Sequence, residues 1–193
     1  MKLYTIILIM LFMLIHIICT RFTYFTGIKH YEKDVYIYDL GHSMLPNFSK
    51  DKIILFLKDC ISVLVLCFGF GVLTEFIEYF IVILVIRHLF TIVTVLPKTV
   101  LDPNSKPWFQ YYYYVKGHCY DKIFSGHFAI SVLLSLILYK RGIVTNVNLL
   151  VFYNLLNAFL ILSTHSHYTI DLLVSAVVVL LVYQNNIKLS LTQ

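Results

Sequence analysis

Two short stretches hold residue types able to do chemistry. Residues 119–127 read Cys-Tyr-Asp-Lys-Ile-Phe-Ser-Gly-His, and residues 165–171 read His-Ser-His-Tyr-Thr-Ile-Asp. His167 and Asp171 are four residues apart, so on a helix beginning near His167 they share a face. An Asp placed there accepts a hydrogen bond from one ring nitrogen. That fixes the tautomer and leaves the other nitrogen as a nucleophile or base. Ser125 is an N-cap candidate ahead of Gly126 and His127. The backbone N–H groups at such a helix start favour a bound anion such as phosphate. A histidine beside that phosphate, His127, can protonate a leaving oxygen. Taken together, the residues describe phosphoryl-group chemistry. A single histidine at a membrane boundary is more often an amphipathic side chain at a wet interface, and His165 is read that way. Two histidines and an Asp in loops that open on the same side are harder to reach by accident, and interfacial ionisable groups are functional candidates.

The same stretches resemble the catalytic motifs of the sphingomyelin synthase family, a branch of the type 2 phosphatidic acid phosphatase superfamily. The family's first motif is Cys-Gly-Asp, three variable residues, then Ser-Gly-His-Thr. The chain agrees at Cys119, Asp121, Ser125, Gly126 and His127 and departs at Tyr120 and Phe128. The second, His-Tyr-Thr-x-Asp-Val, is met at His167, Tyr168, Thr169 and Asp171, with Leu172 in place of Val. A third motif is partly met at Arg87, Thr94, Leu96 and Pro97 but not at Phe90 and Thr91, and Met44 to Asn47 echoes a fourth faintly. The resemblance spans residues 44–180. It implies His127, His167 and Asp171 as catalytic residues, with Arg87, Asp121, Ser125, Gly126 and Tyr168 around the substrate.

The elements that must position these groups are membrane elements. Of 193 residues, 60% are hydrophobic and 13% charged, a composition foreign to a soluble domain. The expected architecture is an all-α polytopic membrane helix bundle, a single integral domain over residues 1–193 with about six transmembrane helices. The formal charge of +5 is spread over loops without a long basic block, which excludes a nucleic-acid binder and suits an anionic lipid surface. The four cysteines are scattered without metal-ligand spacing, so neither zinc, another cofactor nor a disulfide framework is expected.

In chain order, Leu3 to Cys19 reads as a first transmembrane helix rather than a signal peptide, because no small-x-small cleavage site follows. Within it, His16 reads as a tolerated interior residue near one membrane face. Arg21 to Lys52 reads for most of its length as an interfacial loop with aromatic anchors, the alternative being a lid over the site that carries the Met44 to Asn47 echo. Ile53 to Leu73 is a second span with Lys58 and Asp59 at its interface, and Thr74 to Glu78 a polar turn. The third span, Tyr79 to Leu96, carries Arg87 about midway. A charge there faces a polar cavity more readily than lipid, and its planar fork suits a lipid phosphate. Pro97 closes that helix. Trp108 and Tyr111 to Tyr114 form either an interfacial belt or a cage for a choline-type cation. Asp121 either orients His127, meets a cationic head group, or is a plain surface Asp. Ser125 to Tyr139, Val147 to Leu162 and Tyr168 to Tyr183 are the last three spans, with Asn154 and Asn157 bonding between helices or lining the cavity.

The functional expectation is a phosphotransferase that moves a phospho-head group such as phosphocholine from a glycerophospholipid to ceramide through a phosphohistidine. A lipid phosphate phosphatase or phospholipase-C-like hydrolase would use the same site with water. The superfamily phosphatases' full upstream Lys-rich motif is not found, which favours transfer. A non-catalytic lipid-binding protein is the third reading. The expected partners are membrane lipids: the phospholipid donor, and ceramide or diacylglycerol. A homodimer is left open. A count of basic residues puts the site on the cytosolic face, whereas the resemblance implies the lumenal or exoplasmic face of a Golgi, endoplasmic reticulum or plasma membrane.

Overall fold

The computed structural model describes residues 3–31, 37–64, 70–99, 120 and 122–189. Among these are seven α-helices and no strand, so the expected all-α class is met. They are α1 (Leu3–His30), α2 (Leu40–Met44), α3 (Lys52–Leu64), α4 (Leu73–Val93), α5 (Gly126–Lys140), α6 (Val147–Ser163) and α7 (Thr169–Gln184), with a 3₁₀ turn at Phe70–Val72. Two of the described helices, α1 and α4, are long and apolar enough to cross a membrane. The apolar helices α5, α6 and α7 have 15, 17 and 16 residues. At 1.5 Å per residue they reach roughly 22–26 Å, short of a hydrocarbon core of about 30 Å. The helices are compatible with a membrane protein, and two of the six expected spans meet the length requirement.

Two stretches expected to be loops are helical. Arg21 to His30 continues α1, because nothing there breaks a helix and the hydroxyls bond back along it. Thr20 Oγ1 donates to the His16 carbonyl at 2.9 Å and Thr23 Oγ1 to the Cys19 carbonyl at 2.7 Å. Gly27 serves close packing in this helix, since a Cβ there would lie 2.2 Å from the Tyr120 ring. Thr74 to Glu78, expected as a turn, forms the first turns of α4. Its carboxylates face cations from the ends of neighbouring elements: Glu75 meets Arg141 at 2.7 Å and Glu78 meets Lys188 at 3.0 Å. Acidic groups in a first helical turn also oppose the helix dipole favourably. The last three expected spans are helical to within a few residues, whereas the expected span Ile53 to Leu73 is helical only as far as Leu64 among the described residues, followed by the 3₁₀ turn at Phe70–Val72. α4 stops at Val93 with Thr94 as its C-cap, three residues before Pro97, as the restriction on residues preceding proline requires.

The helix α5 is central, with α3, α4, α6 and α7 all packed against it. Its buried Ala129, Leu133, Leu134, Ile137 and Leu138 interlock with Phe76, Tyr79 and Ile83 of α4 and Val179 and Val182 of α7. Polar side chains fasten the other side. Asn157 of α6 donates to Ser131 Oγ of α5 at 2.9 Å and accepts from Ser62 Oγ of α3 at 2.8 Å. Asn154 donates to Ser135 Oγ at 2.9 Å. The two asparagines thus bond between helices, at about 0.6 to 2 kcal/mol per bond in a lipid setting. His16 of α1 pairs likewise with His88 of α4, at 2.9 Å, so it is not merely tolerated there. The α5 and α7 N-termini and the C-terminal halves of α4 and α6 meet at one end of this bundle.

Candidate functional site

The site forms where α5 and α7 begin. Ser125 caps α5, its Oγ accepting from Phe128 N at 3.4 Å. Asp171 sits in the first turn of α7, and its Oδ2 accepts from Tyr168 N at 2.8 Å, which satisfies a backbone donor that the helix leaves unpaired. The two helix starts are stitched together. Ser175 Oγ donates to the carbonyls of Asp171 at 2.6 Å and Ser125 at 3.2 Å. A local serine signal and a long-range bond thus bring the two motifs to one place.

His167 Nδ1 lies 2.9 Å from the Lys122 carbonyl oxygen and 3.2 Å from Asp171 Oδ2. A carbonyl oxygen can only accept and a carboxylate here also accepts, so Nδ1 is the protonated nitrogen. In the neutral ring the lone pair is then on Nε2. Asp171 is fully buried, and His167 retains 12% side-chain exposure. The expected i,i+4 pair is present, and the Lys122 carbonyl is a second acceptor that spacing did not disclose.

Cations gather around the same rim. Lys58 Nζ donates to Ser166 Oγ at 3.1 Å and Lys122 Nζ to the Ser166 carbonyl at 2.7 Å, one residue before His167. Arg87 of α4 is buried and its Nε donates to the Phe124 carbonyl at 3.3 Å. Phe124 itself adopts φ 107°, a conformation costly for a bulky residue. That bend precedes Ser125 and turns its carbonyl to Arg87. A Cβ on Gly126 would sit 3.8 Å from Arg87 Nε, so the guanidinium flanks the α5 N-terminus. His127 Nε2 lies 3.7 Å from Asp59 Oδ1, and Asp59 in turn lies 3.1 Å from Lys58 Nζ. A polar chain runs from His127 through Asp59, Lys58 and Ser166 to His167.

Lys58 and Asp59, read from the sequence as interfacial, therefore lie at this candidate site. The signal for them was an adjacent charged pair inside an apolar run, which is expensive unless it faces a polar cavity. Lys58 also alters the argument from the missing Lys-rich motif, since the fold supplies a lysine that no linear pattern announced. Tyr168 lies beside the pair, but its hydroxyl donates to the Pro97 carbonyl at 3.2 Å. Asp121, Cys119, Trp108 and Tyr111 to Tyr114 lie outside the described residues.

The short helix α2 docks on this end. Asp39 caps it, accepting from His42 N at 3.0 Å, and also caps α7, accepting from Thr169 N at 2.7 Å. His42 Nε2 bonds the His167 carbonyl at 2.9 Å, and its ring stacks on His165 at 4.1 Å. The expected loop between α1 and α3 thus contains a clamp over the second motif. His165, read as a wet-boundary residue, is instead packed here. Its buried Nε2 has no hydrogen-bond partner among the described residues.

Among the described residues no cluster of three or more His, Cys, Asp or Glu has a disposition that could hold a metal ion. Residues 118–187, which span both motifs and α5 to α7, match the family model described as PAP2 superfamily C-terminal. This supports the PAP2 superfamily, and with it an enzyme acting on lipid phosphates by phosphatase or phosphotransferase chemistry. It does not resolve the sphingomyelin synthase branch. No curated protein matches the chain.

Proposed function

We propose that the protein is a multi-pass membrane phosphotransferase that moves a phospho-head group from a glycerophospholipid to the primary hydroxyl of ceramide. The observation that carries this reading is the double acceptor on His167 Nδ1, which leaves Nε2 with the lone pair needed for attack on phosphorus. In the first step Nε2 bonds to phosphorus and the bond to the diacylglycerol oxygen breaks. His127 gives that oxygen a proton, and Asp171 balances the positive charge on His167. In the second step the ceramide hydroxyl attacks the phosphohistidine. His127 takes back the proton, and the nitrogen–phosphorus bond breaks. Arg87, Lys58, Lys122 and the α5 N-terminus surround the phosphoryl oxygens with positive potential. The site faces the lumenal or exoplasmic side.

A second reading rests on the lysines. Lys58 and Lys122, both bonded to Ser166 next to His167, suit the terminal dianion of a phosphomonoester, and water in place of ceramide would make the protein a lipid phosphate phosphatase. The test is a product assay in liposomes containing phosphatidylcholine, phosphatidylethanolamine, phosphatidic acid and fluorescent ceramide, with His167→Ala alongside. A phospho-head-group ceramide, absent in the mutant, supports transfer. Inorganic phosphate from phosphatidic acid, or diacylglycerol without a new sphingolipid, moves the assignment to hydrolysis. Turnover unchanged in His167→Ala sinks both.

A further inference from the structure

Between α5 and α6 lies an apolar cleft of about 440 Å³ that starts at Phe128, next to His127, and continues to Tyr139 at the far end of α5. We propose that it holds one acyl chain of the lipid whose phosphate reacts at His167. This deepens the proposed function and rests on it. The upper end of the cleft is level with the reaction rim, because Phe128 follows His127 by one residue, a rise of about 1.5 Å. From Phe128 to Tyr139 the helix rises about 16 Å at 1.5 Å per residue, and half of a ~30 Å hydrocarbon core is about 15 Å. A chain hanging from a head group at the rim would thus run the depth of one leaflet. Val132 and Leu136 form one wall and Val151 and Leu155 the other. The polar Asn154 has its amide nitrogen occupied by Ser135 Oγ and the Leu150 carbonyl, at 2.9 and 2.8 Å. Val151 and Leu155 are 51% and 64% exposed, so the outer wall is open sideways to lipid.

The test uses the full chain in liposomes. Val151→Trp and Leu155→Trp each put a large ring into the cleft from its exposed wall, away from the core. Wild type and variants are compared on dihexanoyl and dipalmitoyl phosphatidylcholine. Displacing about two buried methylenes predicts a rise in KM of roughly tenfold for the long-chain donor. The short-chain donor keeps its kcat/KM. Equal losses on both donors, or no change on either, overturn the proposal. In parallel, phosphatidylcholine with a diazirine along one acyl chain is photolysed in the same liposomes, a readout that needs no turnover. Adducts concentrated at Val132, Leu136, Val151 and Leu155 support the cleft. Adducts spread evenly over every apolar helix mean ordinary lipid solvation, and α5-to-α6 crosslinks between copies mean a dimer interface; either overturns it. Concentrated adducts with a wild type that turns over neither donor keep the cleft and discard the proposed function.

Discussion

His167 Nδ1 is nearer to the Lys122 carbonyl than to the Asp171 carboxylate, 2.9 Å against 3.2 Å. Two acceptors therefore hold one tautomer, and one of them is backbone that no side-chain substitution removes. Asp171 caps α7 through Tyr168 N, and in the proposed scheme it also balances charge on His167.

Asp171→Asn should accordingly lower lipid turnover by about 10²-fold, while His167→Ala abolishes it. Loss of the tautomer would add more, but Lys122 still enforces it. Asp171→Ala should in addition lower stability by about 1 kcal/mol through the lost cap. Steady-state turnover and thermal unfolding of the same preparations separate the two effects. A loss in Asp171→Asn equal to that of His167→Ala would show that the carbonyl is not sufficient.

Asp59 lies 3.7 Å from His127 Nε2 and 3.1 Å from Lys58 Nζ, so it helps fix where the His127 ring points. Asp59→Ala is expected to lower kcat by roughly tenfold with KM little changed. Steady-state kinetics decide this, and an unchanged kcat would remove Asp59 from the mechanism.

Lys58→Met tests which phosphate the site prefers. A hydrogen bond to a charged group is worth about 1.5–3 kcal/mol, or roughly 10- to 150-fold. If the lysine serves a terminal dianion, the loss on phosphatidic acid exceeds the loss on phosphatidylcholine. Equal losses would leave Lys58 as a partner of Asp59 and Ser166 alone. Competition between the two lipids in one vesicle gives the ratio directly.

The α2 clamp should loosen in acid. Burial acts to raise the Asp39 carboxyl, but hydrogen bonds from His42 and Thr169 outweigh it and hold it below its ordinary 3.8. Burial, with His42 beside it, holds His165 below its ordinary 6.5 against the pull of Asp39. Both groups bind protons more weakly folded than unfolded. Their contribution is therefore present above the unfolded values and lost as pH falls, from about 6.5 for His165 and about 3.8 for Asp39. Protection factors at residues 39–45, corrected for the intrinsic exchange rate at each pH, should fall between pH 7.5 and 5.5 in wild type. His165→Gln should flatten that fall, and an unaltered fall would acquit His165.

The sequence alone determined the parts of this site that depend on short spacing. The i,i+4 geometry of His167 and Asp171, the Ser125 cap and the three C-terminal apolar helices follow from helix periodicity and capping, which act within one or two turns. That Arg87 turns away from lipid was also legible, because a charge in an apolar run needs a polar partner, here the Phe124 carbonyl. Tertiary structure decided the rest. Lys58 and Asp59 join the site only because α3 packs against α5 and α6, and linear spacing carries no information on which face of α3 turns inward. The Lys122 carbonyl and the Phe124 bend are backbone features, invisible to residue type. Asp39 could not be read as a cap for a helix 130 residues away, since that bond exists only once α2 has docked. Thr74 to Glu78 was misread because its charges look like a turn until Arg141 and Lys188 arrive from distant elements to neutralise them.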